Sequence, residues 1–161
     1  MTSCHALTGS SRGIPSPAPE AGLAFWRPDL FTGIPAIDRQ HRELLGRIGE
    51  LEVAARLGDV TRAEGLLANL ERYAAEHFAT EEHVMWKYGY PDRDAHWSLH
   101  LSFAMELAKR KSEHLGNRSQ TTLLVDLGRW MDRWLNDHVH GADTEMARFI
   151  RSRTGAPRER P

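Results

Sequence analysis

Two pairs of potential metal ligands stand on either side of a predicted turn. His77 and Glu81 are four residues apart, and so are His96 and His100. Residues at this spacing lie side by side on one face of a helix. Imidazole nitrogens and carboxylate oxygens are both common metal donors. If the two pairs face each other across the turn at Gly89-Tyr90-Pro91, they form a metal site.

The elements that must position these pairs are predicted to be helices. Four stretches carry apolar residues at the three- and four-residue spacing of an amphipathic helix, and they begin and end near capping residues, glycines or prolines. They run from about Ala36 to Leu57, from Thr61 to Gly89, from Asp94 to Leu115, and from Ser119 to a break at His140-Gly141-Ala142. A short helix from Thr144 to Ile150 is predicted to follow. Short connections between helices of similar length favour an all-α fold, an up-down-up-down antiparallel four-helix bundle with an N-terminal arm and a short C-terminal helix.

The chain is long enough for one well-buried core and short for two, with 161 residues of which 40% are hydrophobic. Residues 1–23 are rich in Gly, Ser and Pro, and we expect a disordered leader there. Residues 24–153 are expected to form the bundle, whose arm up to Pro35 carries large apolar residues. Residues 154–161 are expected to be a frayed tail.

Composition argues against several classes of partner. A net charge of -1 gives no electrostatic reason to bind nucleic acid or an anionic membrane surface. No apolar run approaches a membrane span, and the N-terminus lacks the basic and apolar regions of a secretion signal. Cys4 is the only cysteine, which excludes an internal disulfide and fits a reducing compartment. We therefore expect a cytoplasmic protein with no nucleic-acid or membrane partner.

Each predicted helix places at least one histidine or carboxylate on its apolar stripe. These residues are His41, His77, Glu81, His96, His100 and His138. Burying unpaired imidazoles and a carboxylate costs several kcal/mol each, roughly, so the set needs a common partner. A metal centre supplies one.

Asp143 is a seventh candidate ligand, five residues after His138. On a regular helix, at about 100° per residue, five steps carry a side chain roughly 140° away from the first. The two residues can converge only if the helix is broken or widened between them. Gly141 lies in that gap and is expected to make the distortion easier.

Several motifs in this order resemble the hemerythrin family, specifically the bacterial hemerythrins. They are Gly33-Ile34 with Ile37-Asp38-Arg39-Gln40-His41, His77-Phe78-x-x-Glu81-Glu82, His96-x-x-x-His100, and Trp134-Leu135-x-x-His138-x-x-x-x-Asp143. The resemblance covers about residues 25–150, and every ligand position of the family pattern is filled. One HxxxH motif alone would be a weak signal, but the order, types and spacings agree together.

The resemblance implies two non-haem iron ions (Fe2+/Fe3+) joined by an oxo or hydroxo bridge. By family correspondence, His96, His100 and His138 hold one iron. His41 and His77 hold the other iron, and the carboxylates of Glu81 and Asp143 bridge the pair. Counting donors then leaves an open position on the iron with two histidines. In the family, dioxygen binds there, beside a pocket that corresponds here to Trp134 and Leu135.

The function implied by the resemblance is reversible dioxygen binding for storage, delivery or sensing, with nitric oxide as another candidate gas. A non-enzyme is therefore expected, although weak peroxidase-like or ferroxidase activity stays open. One alternative is a di-iron redox enzyme that consumes peroxide or oxidises iron. Another is a regulatory module that responds to oxygen or redox state. The sequence identifies no protein partner.

Other polar and aromatic residues are expected to be structural. Glu82 and His83 lie off the apolar stripe and fit a solvent-exposed surface. Asp38 and Gln40 are expected to be an N-cap and an exposed helix residue rather than supports of the metal ligands. Three further histidines are expected to be exposed, to cap a helix or to belong to the leader: His114, His140 and His5. Four tryptophans are expected to be packing anchors: Trp26, Trp86, Trp97 and Trp130.

Overall fold

The computed structural model describes residues 30–113 and 119–155 of the chain. Its elements are α1 (Pro35–Arg56), α2 (Val60–Tyr88), α3 (Arg93–Glu113), α4 (Gln120–His138), a π-helical segment (Val139–Asp143) and α5 (Thr144–Thr154). The described residues form no β-strand, which confirms the predicted all-α helical bundle. The predicted leader and residues 156–161 of the predicted tail lie outside the described ranges.

Local sequence signals explain where the helices begin and end. The Asp59 side chain caps α2 by accepting a hydrogen bond from the backbone N–H of Arg62 at 3.2 Å. Ser119 caps α4 in the same way through Thr122. Gly89 ends α2 with a φ of 64°, a left-handed conformation that glycine adopts without steric cost. The helix starts and ends lie close to the predicted ones, and the predicted end of the third helix at Leu115 falls outside the described residues.

Two apolar clusters hold the helices together. α1 packs against α2 and α4, and α3 also packs against α2 and α4. The larger cluster fills the bundle between these helices, and a smaller one joins α1, α2 and α5. Phe78 of the larger cluster stacks on the His100 ring, while Tyr90 of the smaller one lies 6.5 Å from the His96 ring. A polar group of side chains therefore lies between two apolar clusters.

Asp38 ties the segment before α1 to the bundle. The backbone N–H and the hydroxyl of Thr32 donate to Asp38 Oδ1 at 2.8 and 2.7 Å, and the Gly33 N–H donates to Oδ2 at 3.0 Å. The N-cap position of α1 is Ile34, so the expectation that Asp38 is an N-cap was wrong. Arg151 of α5 donates to the Thr32 carbonyl and fixes the same segment from the other side.

The tryptophans divide into packed and exposed residues. Trp130 stacks on Phe103 with ring centroids 5.0 Å apart, as expected of a packing anchor. Trp86 and Trp97 are 69% and 48% exposed, so the same expectation was wrong for them. Trp26 lies outside the described residues. Across residues 30–113 and 119–155, none of the helices combines the length and apolar character that crossing a membrane requires.

Candidate metal centre

The structure brings all of the predicted ligands into one buried cluster. α1 contributes His41, α2 contributes His77 and Glu81, and α3 contributes His96 and His100. His138 is the last residue of α4, and Asp143 is the last residue of the π-helical segment. Each is at most 5% exposed. Every helix of the bundle therefore supplies a side chain, as the pattern of polar residues on apolar stripes predicted.

The π-helical segment accounts for the position of Asp143. Its wider turn lets a residue five positions after His138 return toward the same face of the helix, and Asp143 Oδ1 lies 3.1 Å from His138 Nε2. The predicted widening is therefore confirmed. Gly141 does not have a positive φ, and a Cβ added there would meet nothing within 4 Å. The backbone conformation thus does not require glycine at this position.

The potential ligand atoms form two overlapping groups. In each group, one donor atom per residue lies within 4.8 Å of all the others. The three-imidazole group consists of His96, His100, His138 and Glu81, and the two-imidazole group consists of His41, His77, Glu81 and Asp143. Glu81 belongs to both, so the geometry suits a pair of metal ions that share a ligand.

Glu81 directs one oxygen toward each group. Its Oε1 lies 3.4 Å from His77 Nε2, and its Oε2 lies 3.1 Å from His100 Nε2. Asp143 is placed in the same way, with Oδ2 3.1 Å from His41 Nε2 and Oδ1 3.3 Å from His96 Nε2. Both carboxylates therefore span the two groups of histidines.

Many of these buried atoms have no hydrogen-bond partner among the described residues. They are both ring nitrogens of His41 and His96, Nε2 of His77, and both oxygens of Glu81 and Asp143. A buried polar atom left unpaired costs about 1–3 kcal/mol. A metal pair would bind the inward-facing nitrogens and oxygens together, so the residues present fit such a centre.

Burial and neighbouring charges shift the ionisation of the cluster in opposite directions. Burial lowers the pKa of His41 and His138, but the adjacent Asp143 and Glu81 carboxylates outweigh it and raise the two pKa values to about 9 and about 10. Burial dominates at His77 and lowers its pKa to about 4. Burial alone would raise the pKa of Glu81, yet the surrounding histidines, His77 first, hold it well below its usual value. The Glu81 carboxylate is therefore ionised at neutral pH, which is the form that binds a metal.

Gln40 orients one of the candidate ligands. Its Nε2 donates to Thr80 Oγ1 at 3.1 Å, because the Thr80 hydroxyl itself donates to the Glu76 carbonyl at 2.9 Å. This arrangement turns Gln40 Oε1 toward His77 Nδ1, at 3.3 Å. His77 then carries its proton on Nδ1 and presents Nε2 to the cluster. The expectation that Gln40 is only an exposed helix residue was wrong.

Glu82 orients His100 of the three-imidazole group, as Gln40 orients His77. Its Oε1 lies 3.1 Å from His100 Nδ1, so the imidazole donates to a carboxylate and presents Nε2 inward. This contact was not predicted from the sequence, because Glu82 lies off the apolar stripe of its own helix. A usable signal was present, since Gln40 and Glu82 each directly neighbour a predicted ligand in the chain.

The remaining histidines do not join the cluster where the structure describes them. His83 is exposed, with its ring centroid 6.5 Å from that of Trp86. His140 is exposed and its Nδ1 lies 2.8 Å from the Asn136 carbonyl oxygen. Both agree with the expected surface positions. His5 and His114 lie outside the described residues.

An apolar wall adjoins the three-imidazole group. Trp134 stacks on His138 with ring centroids 4.4 Å apart, and Phe78 stacks on His100 at 4.0 Å. Leu135, which is 4% exposed, lines an apolar cavity of about 20 Å³ together with Trp134, Phe78 and Phe103. Both predicted pocket residues therefore border the same small cavity.

Fold and site together define a class: a helical-bundle protein with a buried histidine and carboxylate cluster able to bind metal. Residues 32–150 match the sequence profile of the hemerythrin HHE cation binding domain. The chain belongs to the hemerythrin family. Its cluster and its family together support a non-haem iron-binding protein.

Curated relatives agree with this assignment. The chain is 29% identical to the bacteriohemerythrin of Stenotrophomonas maltophilia (strain R551-3) over 130 residues, which cover 81% of this chain and 83% of the relative. It is 28% identical to the bacteriohemerythrin of Pseudomonas aeruginosa (strain LESB58) over 126 residues, covering 78% and 80%. The bacteriohemerythrin of Methylococcus capsulatus (strain Bath) is 28% identical over 123 residues, covering 75% and 92%.

Proposed function

We propose that this protein binds dioxygen reversibly at a non-haem di-iron centre. The observation that carries the proposal is the placement of Glu81 and Asp143, each of which directs one carboxylate oxygen toward each group of histidines. Such carboxylates can bridge two ions. Family membership and the donor set favour iron as the metal.

The two ions would have unequal ligand sets. His96, His100 and His138 would hold one ion, and His41 and His77 the other, with both carboxylates and an oxo or hydroxo group shared. Three imidazoles against two leave the second ion one donor short of the first. When bound, two ferrous ions supply the electrons that dioxygen takes up on binding and returns on release. The ion held by His41 and His77 would therefore have the open position at which dioxygen could bind.

Outer hydrogen bonds hold these ligands ready to bind. Gln40 and Glu82 accept the Nδ1 protons of His77 and His100, which leaves each Nε2 lone pair facing the cluster. Preset ring orientations reduce the rearrangement required when metal binds. The apolar side chains of Trp134 and Leu135 keep water and protons away from the centre, which slows oxidation of the ferrous ions.

Small apolar gases would have a short path from the surface to the cavity beside Trp134 and Leu135. Ala74, Phe78 and Phe103 line both the interior cavity and a surface groove of about 260 Å³ between α2 and α3. The cavity lining is apolar, so it offers little to water and accepts a nonpolar diatomic molecule. Side-chain motion of the two phenylalanines would connect the groove to the cavity.

The donor set also favours binding over further oxidation chemistry. Ferritin-like di-iron enzymes rely mainly on carboxylates and Glu-x-x-His pairs, whereas this cluster offers five imidazoles and two carboxylates. Fewer anionic donors stabilise highly oxidised iron less well. We therefore infer a binding protein rather than an enzyme.

Visible absorption of iron-quantified protein tests the proposal. The protein is reduced without oxygen, exposed to air and then degassed. A colourless reduced form should gain a charge-transfer band in air and lose it on degassing, at two irons per chain. A protein that never develops the band, or that passes at once to a ferric spectrum while consuming peroxide, would favour a redox enzyme. A spectral change with nitric oxide but not with dioxygen would identify nitric oxide as the bound gas.

A further inference from the structure

α3 carries apolar residues on its solvent face as well as on its buried face. Its buried positions are His96, His100, Phe103 and Leu107. On another side of the helix lie Trp97, Leu101 and Met105, which are 48%, 44% and 65% exposed. A spacing of four residues aligns these three side chains in one row, called here the outer stripe. The packing of α3 on α2 and α4 does not cover this row.

We propose that the outer stripe is the contact surface for α3 of a second copy of this chain, with the two helices antiparallel about a two-fold axis at Leu101. The stripe is self-complementary in this arrangement, because Trp97 and Met105 lie four residues before and after Leu101. The axis therefore sets Trp97 of each copy against Met105 of the other, which is a favourable sulfur–aromatic contact. Such an isologous contact closes on itself as a dimer.

Charge at the two ends of α3 favours the antiparallel direction. Asp94 lies in the first turn with its side chain 89% exposed, and Lys109 lies near the end with its side chain 61% exposed. Antiparallel packing about Leu101 brings Asp94 of one copy toward Lys109 of the other, at both ends of the contact. Within one chain, Asp94 pairs with Arg93 and Lys109 pairs with Glu106. Ion pairs at a protein surface contribute little stability, so replacing these two by pairs between the copies costs little. The helix dipoles are also antiparallel in this arrangement.

The hydroxyl groups beside the stripe are already paired. Ser98 Oγ donates to the Asp94 carbonyl and Ser102 Oγ donates to the Ser98 carbonyl, each at 2.8 Å. Burying these serines under a second copy therefore leaves neither hydroxyl proton without an acceptor. The outer stripe and its border can be desolvated without this polar penalty. The outer stripe lies on a different side of α3 from His96 and His100, so dimerisation does not depend on what the metal centre binds.

Sedimentation velocity over a wide concentration series tests the proposal with a matched pair of variants. Leu99 and Leu101 are each 44% exposed, but Leu99 lies on a different side of α3 from the outer stripe. The wild-type protein should sediment increasingly as a dimer as concentration rises. Leu101→Lys should stay monomeric, and Leu99→Lys should dimerise like the wild type. Circular dichroism and iron content should match in all three proteins, which excludes unfolding as the cause.

A cross-linking measurement locates the axis. In a Cys4→Ser background, Leu101→Cys should form an intermolecular disulfide readily, because a residue on the axis faces its own copy within bonding distance. Leu99→Cys should form it much more slowly. A wild-type protein that is monomeric throughout, equal loss of dimer in both lysine variants, or equal cross-linking of both cysteines would overturn the proposal.

Discussion

The two-imidazole and three-imidazole groups share Glu81, and Asp143 lies close to histidines of both, but the two groups differ in burial and in their outer partners. His41 and His77 are 0% exposed and come from α1 and α2, which lie next to each other. In the other group, His96, His100 and His138 are 3% to 5% exposed and come from α3 and α4. The two-imidazole group is thus slightly more buried than the three-imidazole group.

The outer partners of the imidazoles also differ. His77 donates to the neutral amide of Gln40, whereas His100 donates to the carboxylate of Glu82. Aromatic rings stack on His100 and His138 in the three-imidazole group. An anionic partner strengthens an imidazole as a metal ligand, so the group with more imidazoles also has the anionic outer partner. In the proposed centre, the ion at the three-imidazole group would therefore be held more strongly than the ion at the two-imidazole group.

Removing single candidate ligands tests the separation of the two groups most strongly. Glu81→Ala removes the residue common to both, so iron at both positions should be lost. His77→Ala should leave the three-imidazole group able to hold iron and lower the content toward one ion per chain. Elemental analysis of purified protein measures both outcomes. His83→Ala, an exposed histidine on the same helix, is the control and should retain full iron. Full iron in Glu81→Ala would refute the shared site.

Exchanging the outer partners tests their difference directly. Gln40→Glu gives His77 an anionic acceptor and should tighten iron binding in the two-imidazole group, whereas Glu82→Gln should weaken the other group. Outer-shell partners typically change metal affinity by ~10–100-fold. The effect of Glu82→Gln should lie at the lower end, because its side chain is 37% exposed and solvent screens it. Chelator competition measures each affinity, and the double variant should reverse the order of the two sites.

A change in the apolar wall beside the three-imidazole group tests how the proposed centre is protected from water. Leu135→Asn places an amide beside the cavity that Trp134 also borders. Water and protons should then reach the centre more easily, and oxidation to the ferric form should accelerate by about tenfold, or ~1.4 kcal/mol in barrier. The decay of the air-exposed spectrum measures this rate. Leu135→Met keeps the wall apolar and should oxidise at close to the wild-type rate. Equal rates in both variants would remove Leu135 from this role.

Sequence periodicity predicted which side chains face inward, because burial of a helix stripe depends mostly on spacing along one helix. His41, His77 and His96 were placed correctly on that basis. Asp143 required a further condition, a widened turn, and the π-helical segment meets it. That distortion could be inferred only because a ligand was expected after His138.

Contacts between helices were harder to predict. Gln40 reaches His77 and Glu82 reaches His100 across helix boundaries, and such contacts depend on the rotation of each helix about its axis. A single sequence does not contain that rotation. Trp97 was misassigned for a related reason, since α3 is apolar on two sides and periodicity alone did not show which side the other helices would cover.

The pH dependence of the metal-free protein tests the comparison within the two-imidazole group, where the pKa values of His41 and His77 shift in opposite directions. The raised pKa of His41, about 9, contributes stability that is fully present below about pH 6.5 and lost as pH rises through 9. His138, with a pKa of about 10, acts in the same direction. The lowered pKa of His77, about 4, contributes stability that is present above about pH 6.5 and lost as pH falls toward 4.

Thermal unfolding of the metal-free and iron-loaded proteins should therefore diverge above neutral pH. Metal-free protein should lose several degrees between pH 7 and pH 10, since ~1 kcal/mol shifts the melting temperature of a chain of this size by about 2–4 °C. Iron-loaded protein should lose less, because metal binding has already removed the imidazole protons. On the acid side, His77→Gln should reduce the loss of stability below pH 6, while His83→Gln should not. Parallel curves for metal-free and loaded protein above pH 7 would show that the carboxylates do not hold protons on His41 and His138.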